Sequence, residues 1–246
     1  MKNTKNFLAV FFLFILISKI YSQSVDAVIN SYINAVGGID KINSIQTAKI
    51  SESTTRRGNE VPLTITIKRP DKIRTEVTIQ GQTQITAYDG NQGWTLNPFR
   101  GSRDVEKLNQ EQTKNLRESA QFEGELVNYK DKGCTAELLG KDDFEGTDVY
   151  KIKLTNKEGD VTTYYIDSQT YLILKKVTKR KMKEVEISTE TLYGDYKSED
   201  GYISPHSLEV KQVGSRGDYQ KITIEKEEFN VPVDDNIFTM PANEKP

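Results

Sequence analysis

The stretch IKRPDKIRTEVTIQGQTQITAYDGNQGWTLNPFRG, residues 67–101, decides the fold. Apolar and polar side chains alternate along it, and Arg69-Pro70, Gln80-Gly81 and Asp89-Gly90 interrupt the alternation. A period of two is typical of strands with one apolar and one wet face, and dipeptides with glycine or proline between such runs are typical of tight turns. The stretch therefore predicts an antiparallel meander.

The same alternation recurs along most of the chain. It is clear in the segments 63–67, 150–154, 185–187 and 222–224, with glycine-containing turns between many of the runs. About ten such strands with short connections predict a largely antiparallel sheet. An amphipathic sheet of that size either packs on a second sheet or curls around something, and the periodicity leaves both open.

Two segments depart from the strand pattern. Residues 24–36 carry a continuous apolar stripe at helical spacing, which predicts a helix capped by Ser24 and ended by Gly37-Gly38. Residues 104–121 lack glycine and proline and have few apolar positions. They predict a helix that lies on a surface or closes an opening, because so narrow an apolar stripe does not suit a central core helix.

The N-terminus has the layout of a secretory signal. Lysines precede the apolar run 7–17, which is too short to span a bilayer comfortably, and Ser22 suits cleavage before Gln23. We therefore predict a signal peptide over residues 1–22 and a single exported domain over residues 23–246.

The charge balance and the reactive residues argue against several classes of function. The chain has 34 Lys and Arg against 36 Asp and Glu, which does not suit a nucleic-acid partner. His206 is its only histidine, and we expect it at a surface or a strand edge; Cys134 is its only cysteine, and we expect it to pack as a small apolar residue. Nucleophile-elbow, phosphate-loop and dinucleotide motifs are absent. We predict neither an enzyme, nor a metal site, nor a cofactor.

The deciding stretch resembles the periplasmic lipoprotein-carrier family (LolA-like, outer-membrane lipoprotein-sorting). The matching pieces, at nearly the family's spacing, are Lys68-Arg69-Pro70, Asp89-Gly90, Trp94 and Asn97-Pro98-Phe99. The Gly37-Gly38 pair and the segment 122–126 are instead similar to a variant found in Bacteroidetes-type envelopes.

The resemblance implies a fold that is mainly β with helical lids (α+β). It would be a curved, half-open antiparallel β-barrel of about ten to eleven strands covered by short helices. In the family, the arginine of the Arg-Pro pair reaches backbone carbonyls of the covering helices and latches the lid. That role would fall to Arg69, for which a salt-bridged strand arginine is the alternative. Family members often have an aromatic residue where this chain has Ile73.

The resemblance also implies what the concave face would bind. If one set of alternating residues points inward throughout, acyl chains would contact the following side chains: Leu63, Ile65, Ile67, Ile73, Ile79, Ile85 and Trp94.

These expectations describe a monomeric periplasmic carrier of lipoprotein acyl chains or of lipid. Its transfer partners would be an inner-membrane release complex and an outer-membrane receptor. An envelope sensor or protein-interaction module on the same half-barrel is the alternative, and a stable protein partner would distinguish it from a carrier. A hydrolase is a third reading, and the missing His, Ser and Cys constellations count against it.

Overall fold

The computed structural model describes residues 23–56, 59–100, 104–182 and 185–242. The predicted signal peptide lies outside the described residues. Thirteen strands form one sheet: β1 (Thr47–Arg56), β2 (Asn59–Lys68), β3 (Lys72–Ile79), β4 (Gln82–Tyr88), β5 (Gly93–Leu96), β6 (Val105–Lys107), β7 (Thr135–Phe144), β8 (Thr147–Thr155), β9 (Val161–Asp167), β10 (Ile173–Met182), β11 (Val185–Glu199), β12 (Tyr202–Gln212) and β13 (Gln220–Phe229). The helices are α1 (Val25–Ala35), α2 (Ile39–Ser44) and α3 (Gln110–Ser119), with 3₁₀ turns at Pro98–Arg100 and Asp235–Ile237.

The sheet consists of two antiparallel meanders. Strands β1 to β6 form one and β7 to β13 the other, and each strand pairs with its neighbours in sequence. The meanders join where β1 pairs with β13, so the first and last strands are neighbours in the middle of the sheet. Strands β6 and β7 are the two edges, and the sheet is therefore open rather than a closed barrel. The mainly β, antiparallel class is confirmed.

The predicted strand count and the predicted helix over residues 104–121 are both wrong in detail. The structure has 13 strands among the described residues instead of ten to eleven, partly because Val105–Lys107 pairs with β5. Three residues are too few to show an alternation, so the strand was hidden inside the predicted helix. Helix α3 starts only after Asn109, whose side chain accepts a hydrogen bond from the Gln112 N–H at 2.9 Å. It has no buried residue, as its sparse apolar stripe predicted.

The N-terminal helix forms where the apolar stripe predicted it. Ser24 Oγ accepts a hydrogen bond from the Ala27 N–H at 3.1 Å and caps the first turn. Gly37 and Gly38 end the helix with φ of 120° and 86°, a region that glycine enters without a steric penalty.

One face of the sheet carries the three helices and the core, and we call it the covered face. Three apolar clusters lie on it, one under α1, one beside α2 and one beneath the end of α3. Their buried members include Val28, Ile152 and Ile166 under α1, Val36, Ile42 and Ile45 beside α2, and Ala48, Ile67 and Ala120 near α3.

The C-terminal segment is tied to a different part of the sheet. Trp94 is almost fully buried, and its Nε1–H donates to the Phe238 carbonyl at 2.7 Å. Arg74 donates to the Ile237 carbonyl at 2.8 Å. Since Arg74 and Trp94 both flank Ala87 in the strand register, they lie on the face opposite the helices. The last turn therefore packs on the uncovered side of the first meander.

A cavity beneath the helical cover

A cavity of about 720 Å³ opens on the covered face of the second meander. Its floor is formed by strands β9 to β12, and its roof by α1, the second half of α3 and the segment 121–126 that follows α3. Ligand sites in proteins commonly enclose ~300–1,000 Å³. The cavity is therefore large enough to hold a small molecule or part of a lipid chain.

The cavity wall is amphipathic, with aromatic side chains that carry hydroxyl groups. Five tyrosines line it: Tyr32, Tyr164, Tyr193, Tyr196 and Tyr202. The hydroxyl of Tyr164 donates to Glu125 at 2.8 Å, and burial together with this carboxylate raises the pKa of the phenol. The hydroxyl of Tyr196 donates to the Ile173 carbonyl at 2.6 Å. The hydroxyls of Tyr164 and Tyr196 thus have partners, and the tyrosine rings form a largely apolar surface.

Ion pairs at the rim connect α3 to the second meander. Lys114 lies 3.1 Å from Glu158, and Arg180 lies 3.7 Å from Glu118. Within α3 itself, Lys114 also lies 3.7 Å from Glu118. The hydrogen bond from Lys114 lowers the pKa of Glu158. These side chains are at least one third exposed, and ion pairs of that kind contribute little to stability. This side of the cover is therefore held weakly.

Arg69 contacts the other side of the cover. It lies at the end of β2, and its Nε–H donates to the Ile45 carbonyl at 2.7 Å while Nη2–H donates to the Ile42 carbonyl at 3.2 Å. Both carbonyls belong to the C-terminal end of α2, where a helix leaves carbonyls without internal partners. The guanidinium also lies over the ring of Phe122, 4.9 Å from its centroid.

Glu123 connects Arg69 to the cavity roof. Its carboxylate lies 3.3 Å from Arg69 Nη2 and 3.4 Å from Lys132 Nζ, and its side chain is only 10% exposed. Phe122 and Glu123 both line the cavity. A single arginine of the sheet therefore contacts α2 and the roof segment after α3 at the same time.

The seven residues proposed for acyl contact divide between two faces. Leu63, Ile65, Ile67, Ile73 and Ile79 lie on the covered face, where the β1–β2 and β2–β3 registers bring the first four together. Ile85 and Trp94 lie on the opposite face, because Ile85 pairs with Glu76 and Trp94 with Ala87. The assumption of one continuous inward set was wrong for these two. The two-residue turn Gln80-Gly81 pairs Ile79 with Gln82, so odd positions of β3 share a face with even positions of β4.

None of the seven lines the 720 Å³ cavity. Ile67 and Ile73 are buried in the cluster near α3, whereas Leu63, Ile65 and Ile79 are half-buried in a part of the covered face that the helices leave open. The register places further half-buried apolar residues in this open part: Ile50, Val77, Leu208, Ile222 and Ile224.

Glu52 lies among these apolar side chains. It pairs with Leu63 on one side and with Ile224 on the other, and burial raises its pKa from 4.5 to about 7. A carboxyl whose pKa is raised by folding destabilises the folded protein once it ionises. That cost is absent below about pH 4.5, grows as the pH rises and is complete above about pH 7.

We therefore expect Glu52→Gln to stabilise the protein at pH 8 but not at pH 4. The gain at pH 8 should be about 1–2 kcal/mol, after a discount for the partial exposure of the carboxylate. Urea unfolding of both proteins at the two pH values measures it. An equal difference at pH 4 and pH 8 would show that Glu52 does not carry this dependence.

Comparisons with known proteins agree with this architecture. A family model with the description "-like: Uncharacterized protein" matches residues 60–242. The crystal structure of a DUF1329 family protein from Desulfovibrio piger superimposes with a TM-score of 0.61 at 13% identity, over 89% of this chain and 98% of that one. A LolA superfamily protein from Nitrosomonas europaea gives a TM-score of 0.60 at 12% identity, over 88% and 97%. The chain belongs to the family of that model, and its fold is LolA-like.

One further solved structure has a similar fold, and the curated proteins were also compared with the chain. An outer membrane lipoprotein-sorting protein domain from Vibrio parahaemolyticus gives a TM-score of 0.51 at 11% identity, over 78% of this chain and 88% of that one. None of the curated proteins matches the chain.

In this LolA-like fold, His206 is not at a surface or strand edge as expected. It lies on β12 inside the sheet and is 6% exposed. Its Nδ1 is 2.9 Å from the Ile224 carbonyl, and its Nε2 is 3.7 Å from Glu227, to which Ser204 also donates. Because Ser204 donates to Glu227 and not to His206, the three do not form a serine–histidine relay.

The described residues offer no metal site and no spanning helix. They contain no group of three or more His, Cys, Asp or Glu side chains that could hold a metal ion. No helix among them is both long enough and apolar enough to cross a bilayer.

The cavity-lining residues of the LolA-like fold were missed from sequence. Tyr164, Lys176, Thr178 and Tyr193 lie on β9 to β11, outside the stretch 67–101 on which the resemblance depends. A usable signal existed, because Lys176, Thr178 and Arg180 alternate with Lys175, Val177 and Lys179 and put polar groups on both faces of one strand. A strand without a continuous apolar face suggests that one face lines a solvent-filled space.

Proposed function

We propose that the protein is a carrier, not an enzyme, and that it binds an acyl chain of a lipid or lipoprotein beneath the helical cover. The observation that carries the proposal is the cavity of about 720 Å³ on the covered face. Half-buried apolar residues continue on the same face beyond the helices, among them Leu63, Ile65 and Ile224. A lipid chain could therefore be shielded from water both in the cavity and along this open part of the covered face.

The energetics allow tight binding of an acyl chain. Each methylene that leaves water contributes ~0.8 kcal/mol, so about a dozen methylenes contribute on the order of 10 kcal/mol before the costs of binding. Release then requires that the cover can move. The rim ion pairs of α3 are weak, and we propose that Arg69 acts as the latch for α2 and for the roof segment. An acyl chain that displaces the cover competes with these few polar contacts.

The LolA-like fold supports a role in the bacterial envelope. The Vibrio parahaemolyticus domain with this fold is named as an outer membrane lipoprotein-sorting protein. By analogy, the protein would act in the periplasm after removal of residues 1–22, as a monomer. It would receive cargo from an inner-membrane release complex and deliver it to an outer-membrane receptor.

Transfer between membranes tests the proposal. Donor vesicles that contain a phospholipid with a fluorescent acyl chain are mixed with unlabelled acceptor vesicles, with and without the protein. We expect the initial transfer rate to rise in proportion to the protein concentration. A rate that does not differ from spontaneous exchange, together with no fluorescence on the protein itself, would rule out the carrier.

A further inference from the structure

We propose that the cavity recognises an acyl ligand with an anionic oxygen group at its head, and that Lys176 binds that group. This inference rests on the proposed acyl binding and specifies the class of ligand. Lys176 lies on β10, pairs with Tyr164 and Thr191 in the sheet register, and lines the cavity from the covered face.

Lys176 forms no ion pair with an acidic side chain among the described residues, and unlike Lys157, a second cavity-lining lysine without one, it is half-buried. Lys114 and Lys132, which also line the cavity, pair with Glu158 at 3.1 Å and with Glu123 at 3.4 Å. Its neighbour Lys175, on the other face of β10, pairs with Glu190 at 2.5 Å. Within the part of the chain that the structure describes, no carboxylate forms an ion pair with Lys176. Its ammonium instead lies 5.9 Å from the centroid of the Tyr193 ring.

Glu125, one of the carboxylates on the cavity wall, is already hydrogen-bonded. Glu125 Oε2 accepts hydrogen bonds from Tyr164 at 2.8 Å and from Thr162 at 3.3 Å. Glu125 keeps its charge in these hydrogen bonds but forms no ion pair with Lys176, so a ligand can still bind the ammonium directly. An anion that reaches this half-buried ammonium gains a charge-assisted hydrogen bond in a site partly shielded from water.

Two further polar side chains on β10, those of Thr178 and Arg180, continue from Lys176 toward the rim of the cavity. Residues 176, 178 and 180 share the covered face, so Lys176, Thr178 and Arg180 form a column along β10, and all three line the cavity. Arg180 is 44% exposed, and its distances to Glu118 and Asp160 are long, 3.7 Å and 3.8 Å. An anionic head would meet Arg180 first and Lys176 further inside, while its chain packs against the tyrosine rings.

The ligands that fit this site share an anionic head, either a carboxylate or a phosphate monoester, attached to an acyl chain. A neutral or zwitterionic head lacks the unpaired negative charge that Lys176 would neutralise. The column therefore predicts selection for the anionic forms of otherwise identical chains.

Fluorescence titration with cis-parinaric acid and its methyl ester at neutral pH tests the inference. The two probes share one chain and differ in head charge. We expect the acid to bind about tenfold more tightly than the ester. In Lys176→Met the two affinities should become equal through a loss of acid binding, with ester binding unchanged. Lys179→Met, on the opposite face of β10 and 55% exposed, should retain the preference of the native protein.

The outcomes separate the inference from the function on which it rests. Equal affinities in the native protein, or a preference that survives in both Lys176→Met and Lys176→Gln, would overturn the inference and leave acyl binding intact. Binding of neither probe would overturn the proposed function and the inference with it. Displacement of bound parinaric acid by lysophosphatidic acid or by a fatty acid, but not by monoacylglycerol, supports the anionic head and shows which source is preferred.

Discussion

Replacement of Arg69 by leucine is expected to lower the free energy of unfolding by about 3 kcal/mol. The substitution removes the donors to the Ile42 and Ile45 carbonyls and leaves the largely buried Glu123 carboxylate with Lys132 alone. Loss of one partner of a buried ion pair costs more than the pair contributes, because the remaining charge stays in a poorly solvated place. Urea unfolding at neutral pH measures the change.

Two controls separate the ion pair from the latch. Arg69→Leu with Glu123→Gln removes the orphaned charge and should recover part of the lost stability, while the α2 carbonyls stay unsatisfied. Arg69→Lys keeps the charge but loses the planar fork that reaches α2 and Glu123 together, so it should lie between the native protein and the leucine variant. A leucine variant within about 0.5 kcal/mol of the native protein would contradict the latch, since that is the size of an ordinary surface substitution.

A tryptophan in place of Thr178 is expected to lower lipid occupancy at least about tenfold. Thr178 points into the cavity of about 720 Å³, and an indole there takes space that acyl carbons would use. Exclusion of only two methylenes costs ~1.6 kcal/mol, which corresponds to about a tenfold loss of affinity. Native mass spectrometry of protein purified without detergent gives the fraction of molecules with lipid.

Lys179→Trp is the matched control for this substitution. It places the same side chain one residue further along β10, on the opposite and more exposed face. Its occupancy should equal that of the native protein. If both tryptophan variants retain native occupancy, the lipid binds outside the cavity.

The meander of residues 67–101 could be predicted because it depends on local signals. Alternation and turn dipeptides act over a few residues, and the strands lie where those signals placed them. Helix α1 could be predicted for the same reason, since its apolar stripe, Ser24 cap and glycine pair all lie within one short segment.

The features that were missed depend on pairing across long distances. Whether Ile85 faces the helices is decided by the turn at Gln80-Gly81, which changes the parity of every later position in β4. His206 lies between Pro205 and Ser207 in sequence, a setting typical of a surface or strand edge, yet β12 lies between β11 and β13 and buries it. The edge strand β6 exists only because β5 pairs with it.

The cavity could not be predicted from the sequence, because it too depends on segments that are far apart in the chain. Its floor belongs to the second meander and its roof to segments from three other parts of the chain, so no contiguous pattern encodes it. The contacts of Arg69 were proposed from the Arg-Pro pair, and the structure adds that Glu123 and Phe122 meet the same guanidinium.

The most direct test of acyl binding is native mass spectrometry of the protein purified from periplasm without detergent, followed by organic extraction. We expect near-stoichiometric adducts whose extracts contain acyl chains, with adduct levels that fall in Thr178→Trp and not in Lys179→Trp. A clean mass of the polypeptide alone, with no uptake after incubation with lipid vesicles, would contradict acyl binding.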